Sequence, residues 1–283
     1  MIVPAQVAGY CGSIPERAAW LARLPALLRE LESRWALRVG DPYDGDDVSS
    51  GWVAPATRAD GTPAVLKMLM PKMENEQQID GLRIWNGDGV VRLLEVDEQR
   101  AAMLMERCEP GTPLRELPEE EQDVVVAGLL RRLWRAPGTG FRPLSARMET
   151  SRVETLADRP RWPDAGLVEA GLRLFEELPR TATSEVLLAT DLHAANVLRA
   201  SREPWLAIDP EPFVGEPAYD ATQHLFNCRA RMRADPRGMV RRMADLLQVD
   251  EERIRLWAFA RAAAEPRENW DGGLFEIARR LAG

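Results

Sequence analysis

Three oxygen-bearing side chains lie close together in one stretch of the chain, LLATDLHAANVLRASREPWLAIDPEP, which runs from residue 187 to residue 212. Asp191 is followed five residues later by Asn196, and Asp209 lies thirteen residues beyond Asn196. Both acids follow apolar runs, so we expect each to lie at the end of a short buried strand. Carboxylate and amide oxygens are ligands that Mg²⁺ accepts together with water and phosphate. The stretch therefore indicates a site for a hard cation, on loops of the kind that often carry functional groups.

A lysine lies inside a second apolar run, PAVLKML, which predicts a strand. An unpaired ammonium group would be costly there, so Lys67 needs an anionic partner. Glu76, on the helix predicted to follow, is the first candidate, and Glu74 and Asp80 are alternatives. Taken alone, Lys67 is more simply a strand residue that reaches out to solvent, and Asp191 a turn-capping residue. Taken together with Asn196 and Asp209, these two residues favour a site in which Lys67 contacts nucleotide phosphates.

The elements that must position these residues follow from the pattern of apolar residues and turns. Residues 15–36 have helical periodicity, which we expect to break near Pro25. SGWVAPATR and PAVLKMLM predict two strands joined by the turn ADGT. Residues 72–85 predict a helix, and GVVRLLEVDEQRAAMLMER predicts another hairpin. These segments together predict a small antiparallel lobe with one main helix.

The remainder of the chain is predicted to be mostly helical. CEPGTPL, with two prolines and one glycine, predicts a linker. Short strands are expected around EVLLAT, NVLRA and PWLAID. The predicted helices cover residues 118–135, 163–179, 217–227, 235–247, 250–264 and 267–281. The fold class is therefore α+β, with an N-terminal lobe over residues 1–106, a hinge over 107–112 and a helical lobe over 113–283.

Composition and charge exclude several classes of protein. The chain has 283 residues, 45% of them hydrophobic and 29% charged, and its formal net charge is −8. That balance argues against nucleic acid as a partner and mildly favours cationic ones. No apolar run approaches the roughly 20 residues of a membrane-spanning helix, and we see no signal peptide. Three isolated cysteines indicate neither a disulfide scaffold nor a zinc site, so a cytoplasmic location is expected.

The order of these features resembles the protein-kinase-like phosphotransferases. More closely, the chain is similar to the aminoglycoside and hydroxyurea antibiotic resistance kinases, in particular the streptomycin 6-kinases. The resemblance spans about residues 45–230 and is carried by ADGTPAVLKM, LRIWNGDGVVRLL, MERCEPGTPL, DLHAANVL and IDPEPFVGEPAYDATQHL. It implies a two-lobed protein-kinase-like fold, with ATP and Mg²⁺ as cofactors.

The resemblance also implies roles for the residues of the helical lobe, which would carry catalysis and acceptor binding. Asp191 is expected to be the catalytic residue, accepting or orienting the proton of the acceptor hydroxyl. Asn196 and Asp209 would hold the Mg²⁺ ions.

For the N-terminal lobe, the resemblance implies that its residues cover the nucleotide. Lys67 would contact the α- and β-phosphates and be held in place by Glu76. Backbone groups of Glu106 to Cys108 would meet the adenine ring, with Met105 near the gatekeeper position. The loop around Ser50 would cover the phosphates.

Two features depart from the family's usual pattern. The family has His-Gly before the catalytic acid, where this chain has Ala189-Thr190. In protein kinases the residue at the His position packs against the residue after the metal-binding acid, and here that residue is Pro210 rather than Phe. We therefore expect another packing arrangement between the two loops. The segment DDVSSGWVAP has one glycine in place of GxGxxG, a reduction that is common in antibiotic kinases.

The resemblance implies an enzyme that moves the γ-phosphoryl group of ATP to a hydroxyl of a small polar, cationic acceptor. An aminoglycoside such as streptomycin, modified at its 6-hydroxyl, is the leading candidate. A metabolic kinase for a sugar, amino sugar or choline-like compound is one alternative, and a nucleotide-binding pseudokinase is another. We expect a monomer or weak dimer, with no nucleic acid and no membrane as a partner.

Overall fold

The computed structural model describes residues 2–12, 14–44, 51–266, 270 and 272–283. The chain divides into two compact units, each formed by two segments. The first unit comprises Met1–Thr112 and Leu198–Ile208, and the second comprises Pro113–Val197 and Asp209–Gly283. The division of roles between a nucleotide-covering lobe and an acceptor-binding lobe stays a prediction.

The first unit is built on a five-stranded antiparallel sheet that two helices precede. Its elements are α1 (Ala5–Cys11), α2 (Pro15–Trp35), β1 (Leu37–Val39), β2 (Gly51–Arg58), β3 (Pro63–Leu69), α3 (Gln78–Trp85), β4 (Leu93–Asp97) and β5 (Ala102–Glu106). The strand order is β1-β2-β3-β5-β4. The two predicted hairpins, β2 with β3 and β4 with β5, are both confirmed.

Helix α2 runs without a break through Pro25, so the expected interruption there was wrong. Trp20, Leu24, Leu27 and Leu31 are buried at helical spacing on both sides of the proline. Full burial of one such side chain stabilises by about 1.5–3 kcal/mol. Four of them outweigh the roughly 3 kcal/mol that an internal proline costs. The continuous apolar face of α2, packed on the core of the unit, therefore keeps the helix whole.

Strands β2 and β3 form the hairpin that carries Lys67. This residue pairs in register with Val53 of β2 and with Met103 of β5, and only 2% of it is exposed. The hairpin needs glycine at the start of β2, because a Cβ on Gly51 would lie 2.3 Å from the carbonyl oxygen of Met68. The ammonium group of Lys67 is therefore carried on a strand that neighbouring strands fix on both sides.

The segment between β3 and α3 is not the continuous helix that was predicted from residue 72. A 3-10 turn follows β3, and the α-helix begins only at Gln78. Asn75 is buried, and its side-chain amide donates to the Met70 carbonyl oxygen over 2.8 Å. A short polar side chain that binds nearby backbone competes with helical hydrogen bonding, which explains the late start. Glu76 therefore lies in a turn before α3 rather than on the helix.

The second segment of the chain, from residue 113 onwards, is mostly helical, as predicted. Its elements are α4 (Glu119–Leu133), α5 (Leu144–Ala157), α6 (Ala165–Arg180), β6 (Val186–Leu188), β7 (Val197–Arg199), β8 (Trp205–Ala207), β9 (Phe213–Gly215), α7 (Pro217–Asn227), α8 (Arg229–Ala234), α9 (Pro236–Leu247), α10 (Glu251–Ala264) and α11 (Gly272–Leu281). β6 pairs with β9 and β7 with β8. Helices α5 and α8 and strand β9 were not among the predicted elements.

The hairpin of β7 and β8 belongs mainly to the first unit, although it lies late in the chain. Arg202, between its two strands, donates to the carbonyl oxygens of Gly87 over 2.8 Å and Val90 over 3.0 Å. The same guanidinium group donates to the carboxylate of Glu106 over 2.5 Å. Arg202 thereby ties the hairpin to the end of β5, where the predicted hinge begins.

Helix α10 lies at the centre of the second unit's core. It contacts α6, α7, α9 and α11, and the whole run from Trp257 to Ala264 is buried. Trp257 packs edge-on against Tyr219 of α7, with ring centroids 5.1 Å apart. None of the described helices combines the length and the apolar character needed to cross a membrane.

A buried ion network joins α4 to α7, α8 and α9. Asp123 is 1% exposed and is bonded to His224 at 2.9 Å, Arg231 at 2.9 Å and Arg242 at 2.7 Å. Burial alone would raise the pKa of the Asp123 carboxyl, but these hydrogen bonds hold it below its ordinary value. The Cys228 sulfur lies 3.7 Å from His224. Two guanidinium groups thus neutralise the buried carboxylate of Asp123, as a buried charge requires.

Asp123→Asn is expected to lower the free energy of unfolding by about 1.5–3 kcal/mol at neutral pH, the usual worth of a charge-assisted hydrogen bond. The folded-state pKa of Asp123 lies below its unfolded value of about 3.9, so its contribution is present above that pH and is lost as the pH falls. Urea unfolding from neutral pH down to about pH 3 should therefore show the gap to wild type narrowing.

A matched control for this prediction is Asp80→Asn, which removes an exposed carboxylate paired with Arg83. Exposed pairs contribute at most about 1 kcal/mol, so this variant should unfold close to wild type. Equal losses in the two variants would contradict the structural role of the buried network.

Candidate active site

The loop after β6 carries Asp191, and a buried acid from α7 holds its backbone. Asp220 accepts from the backbone amides of Ala189 over 3.0 Å and Thr190 over 2.8 Å. The indole nitrogen of Trp134 donates to the same carboxylate over 2.9 Å. Burial raises the pKa of the Asp220 carboxyl to about 6, although the three donated hydrogen bonds oppose that shift. Asp220 therefore fixes the backbone of the loop just before Asp191.

The two residues before Asp191 turn sharply. Thr190 has a φ of 44°, in the left-handed region that a β-branched residue rarely adopts. The amide of Asp191 donates to the Ala189 carbonyl oxygen over 2.6 Å and closes a three-residue turn. The usual glycine of the family would adopt such a φ without strain. Here the strained threonine is held by hydrogen bonds of its own.

Those hydrogen bonds join the loop that carries Asp191 to the loop that carries Asp209 and Glu211. Glu211 donates its amide to the Ala189 carbonyl oxygen over 2.9 Å, and its carbonyl oxygen accepts from the Thr190 hydroxyl over 2.5 Å. Arg147 of α5 donates to both the Thr190 hydroxyl and the Glu211 carboxylate. Hydrogen bonds of Ala189, Thr190 and Glu211 thus connect the two loops, next to Ala189 and Pro210, the positions of the family's His contact.

Asp191 and Asn196 are brought together by direct hydrogen bonds. The side-chain nitrogen of Asn196 donates to the Asp191 carbonyl oxygen over 3.0 Å and to its Oδ2 over 3.1 Å. On the other side, Nε2 of Gln223 donates to Oδ1 of Asp191 over 2.6 Å. Each oxygen of the Asp191 carboxylate therefore accepts a hydrogen bond from an amide, and the carboxylate has one defined orientation.

Asp209 opens the second loop, two residues before Glu211. Its φ of 55° is in the left-handed region, which Asp and Asn tolerate better than most residues. Its side chain is half-buried. Because Glu211 is bonded to the residues that precede Asp191, the two predicted acids stand on loops that are bonded to each other.

The remaining predicted site residues belong to the first unit. Lys67 is buried on β3, whereas Glu76 is exposed in the turn before α3. The pairing of Lys67 with Glu76 stays a prediction. Ser50 lies outside the described residues, and β2 begins at Gly51.

The predicted adenine-contacting segment follows β5. Met105 is 7% exposed within that strand, and Cys108 is 8% exposed just beyond it. The Glu106 amide donates to the Arg92 carbonyl oxygen over 3.0 Å, and its carboxylate is bonded to Arg202. Burial, with help from the nearby charge of Glu106, raises the pKa of the Cys108 thiol to about 11, so it stays a neutral thiol.

Two side chains that shape this site were not among the predicted site residues. Gln223 contacts Asp191 directly, and Arg147 links the two loops. Gln223 stands in YDATQHL, a phrase that carries the family resemblance, so its position was visible in the sequence. Its contact was not visible, because 32 residues separate it from Asp191. Arg147 had no indication at all, since its helix was not predicted.

The fold has relatives among solved structures. Choline kinase LicA from Streptococcus pneumoniae superposes with a TM-score of 0.64 at 12% identity, covering 92% of this chain and 98% of that one. Aminoglycoside phosphotransferase APH(3'')-Id from Streptomyces rimosus, in complex with ADP and streptomycin, gives 0.57 at 16% identity, with 90% and 98% covered. These neighbours define a protein-kinase-like fold, which confirms the predicted fold class.

Similarity in sequence assigns the chain to one family within this fold. The profile of the aminoglycoside/hydroxyurea antibiotic resistance kinases matches residues 34–271. A streptomycin 6-kinase from Streptomyces griseus is 40% identical over 279 residues, which covers 93% of this chain and 88% of that relative. The chain belongs to the aminoglycoside/hydroxyurea antibiotic resistance kinases, and it is a small-molecule kinase, as the resemblance implied.

Proposed function

We propose that this kinase transfers the γ-phosphoryl group of ATP to the 6-hydroxyl of streptomycin and thereby inactivates the antibiotic. The observation that carries the proposal is the 40% identity to a streptomycin 6-kinase over nearly the whole length of both chains. The net charge of −8 suits a cationic acceptor. The same fold accommodates ADP and streptomycin together in the Streptomyces rimosus enzyme.

Asp191 is the proposed catalytic residue. Phosphoryl transfer asks a protein mainly for positioning and for neutralisation of charge on the phosphates. A carboxylate within hydrogen-bond reach of the acceptor hydroxyl can orient it and take its proton as the new O–P bond forms. The amide donors at both oxygens of Asp191 support this role, because they hold the carboxylate in one orientation.

Asn196 and Asp209 are the proposed ligands of Mg²⁺. The nitrogen of the Asn196 amide donates to Asp191, so the oxygen of the amide is the proposed ligand atom. Asp209 adds a carboxylate, and a carboxylate with an amide oxygen is a donor set that suits a hard cation. When bound, Mg²⁺ neutralises charge on the phosphates.

The nucleotide is proposed to contact residues of the first unit. Lys67 would donate to the α- and β-phosphates, and the buried strand that carries it limits the freedom of its ammonium group. Backbone groups from Glu106 to Cys108 would meet the adenine ring, beside Met105. The predicted roles of Ser50 over the phosphates and of Glu76 as the partner of Lys67 belong to the same proposal.

The proposal is tested by mass spectrometry of streptomycin after incubation with the protein, ATP and Mg²⁺. We expect streptomycin to gain one phosphoryl group, with fragmentation placing it at the 6-hydroxyl. Asp191→Asn serves as the control that should give no product. Growth of a streptomycin-sensitive host carrying the gene should be protected by the wild type and not by this variant.

Other acceptors give the outcomes that would contradict the streptomycin proposal. Hydroxyurea, choline and a panel of amino sugars are incubated under the same conditions. Transfer to one of these and not to streptomycin would move the protein to a different acceptor while keeping it a kinase. Nucleotide binding without transfer to any acceptor would favour the pseudokinase alternative. The monomer or weak dimer and the cytoplasmic location stay predictions.

A further inference from the structure

The side chain of Gln223 on α7 lies between two charged groups of the second unit. Its Nε2 donates to Oδ1 of Asp191 over 2.6 Å, and its Oε1 accepts from Nη2 of Arg261 over 2.8 Å. Arg261 stands on α10, 38 residues further along the chain. One neutral amide thus bridges a carboxylate and a guanidinium group, with a donor towards the first and an acceptor towards the second.

Arg261 determines which way round this amide lies. A guanidinium group carries only donors, so the atom of Gln223 that faces it must be oxygen. The nitrogen must then face Asp191, whose carboxylate only accepts. A flipped amide would set N–H against N–H and oxygen against oxygen, and it would lose both hydrogen bonds.

The orientation of Arg261 is itself fixed on several sides. The residue is 5% exposed, and its guanidinium group bonds to the carboxylate of Glu265 at distances from 2.9 to 3.2 Å. Its Nη1 donates to the Thr222 hydroxyl over 2.7 Å. The guanidinium carbon lies 5.2 Å from the ring centre of Tyr219 and 5.4 Å from that of Phe226. Little freedom is therefore left in the group that orients Gln223.

We infer that Gln223 is a positioning residue for phosphoryl transfer, and that Glu265 and Arg261 act through it on Asp191. Asn196 holds the second oxygen of the carboxylate, so Asp191 cannot rotate without breaking a bond on each side. The inference rests on the proposed role of Asp191 as the group that orients the acceptor hydroxyl. Misplacing such a group by about 1 Å costs roughly 100-fold in rate.

Two substitutions of Gln223 separate a positioning role from a packing role. Gln223→Met keeps the length of the side chain but removes the donor, and Gln223→Glu keeps the shape but turns an oxygen towards Asp191. We expect Gln223→Met to lower kcat by about 10- to 100-fold. KM for ATP and for streptomycin should stay within about threefold, because ground-state binding is untouched. Gln223→Glu should be slower still, since two carboxylates would repel each other.

Matched controls come from Gln248, an exposed residue at the end of α9. Gln248→Met and Gln248→Glu make the same chemical changes on the surface, and neither should change kcat or KM. Thermal melting of every variant shows whether the protein is folded.

A double-mutant cycle tests whether Arg261 acts through Gln223. Arg261→Met alone should lower kcat, because the amide of Gln223 is then free to flip. In the Gln223→Met background the same change should alter kcat by no more than about twofold, since the bridge is already broken. Full additivity of the two losses would contradict the relay.

The outcomes that overturn the inference differ from those that overturn the proposed function. A wild-type kcat in Gln223→Met would overturn the inference. A raised KM for streptomycin at unchanged kcat would also overturn it, because Gln223 would then contact the acceptor. Should the wild type transfer phosphate to no acceptor, the proposed function fails, and crystal structures decide the inference alone. An Asp191 carboxylate that keeps its orientation in Gln223→Met contradicts it, and a rotated or disordered one supports it.

Discussion

Replacing Asp191 with asparagine is expected to lower kcat for phosphoryl transfer by about 10²- to 10⁴-fold, the usual worth of a positioned acid–base group. The amide cannot take the proton of the acceptor hydroxyl. It also has only one oxygen, whereas Gln223 and Asn196 each donate a hydrogen bond to this side chain. The –NH2 group of the new residue must therefore face one of two donors, which disturbs the local arrangement as well as the chemistry.

The measurement is steady-state kinetics of ADP release with streptomycin as acceptor. KM for ATP should change little, because Asp191 is not proposed to contact the nucleotide. Asp164→Asn is the matched control: Asp164 caps α6 through the amide of Leu167, and asparagine caps equally well. This control should keep wild-type activity. An Asp191→Asn enzyme that retains more than about a tenth of wild-type kcat would remove Asp191 from the catalytic role.

Apolar runs beside turns and apolar residues at helical spacing predicted most of the elements. The hairpin of β2 and β3 was predicted because two apolar runs flank a short polar turn, and most of the later helices were predicted from helical spacing. The break expected at Pro25 was wrong because the helix-breaking tendency of proline is a local property. The burial that keeps α2 continuous comes from its packing in the unit.

Helix α5 could not be predicted from its own sequence. Leu144 and Met148 are buried, but Val153 is 55% exposed and Leu156 is 37% exposed. Its apolar residues therefore stand on both faces, and the pattern does not separate a helix from a loop. Contacts with other elements, such as the hydrogen bond from the Thr155 hydroxyl to the Ala264 carbonyl oxygen, contribute to its stability.

The candidate site was predictable where its residues are neighbours in sequence. Asp191 and Asn196 stand five residues apart, and the structure joins them by hydrogen bonds. The strained φ of Thr190 was not predictable, because threonine rarely adopts a left-handed conformation. The contact of Gln223 and Arg261 was invisible for a different reason, since it depends on the packing of α10 against α7.

Replacing Asp209 with asparagine is expected to lower kcat by roughly two to three orders of magnitude, comparable to the loss of one preorganised electrostatic contact at a transition state. The Mg²⁺ concentration that gives half-maximal activity should also rise, because an amide oxygen carries no net charge for a hard cation. The fold should be retained: asparagine tolerates the left-handed region, so the φ of 55° at this position costs little.

A Mg²⁺ titration of activity measures both effects, and binding of Mn²⁺ with nucleotide gives a readout that needs no acceptor. Asn86→Asp is the matched control, because Asn86 has a φ of 47° and is exposed at the end of α3. It makes the reverse exchange of amide and carboxylate at another left-handed position, and it should leave both titrations unchanged. Wild-type titrations in Asp209→Asn would place the cation elsewhere. A large loss of activity in Asp209→Asn, with wild-type activity in Asn86→Asp, would mean that the reaction requires the charge of Asp209. Aspartate and asparagine have nearly the same shape and tolerate the left-handed region alike, so charge is the property that differs.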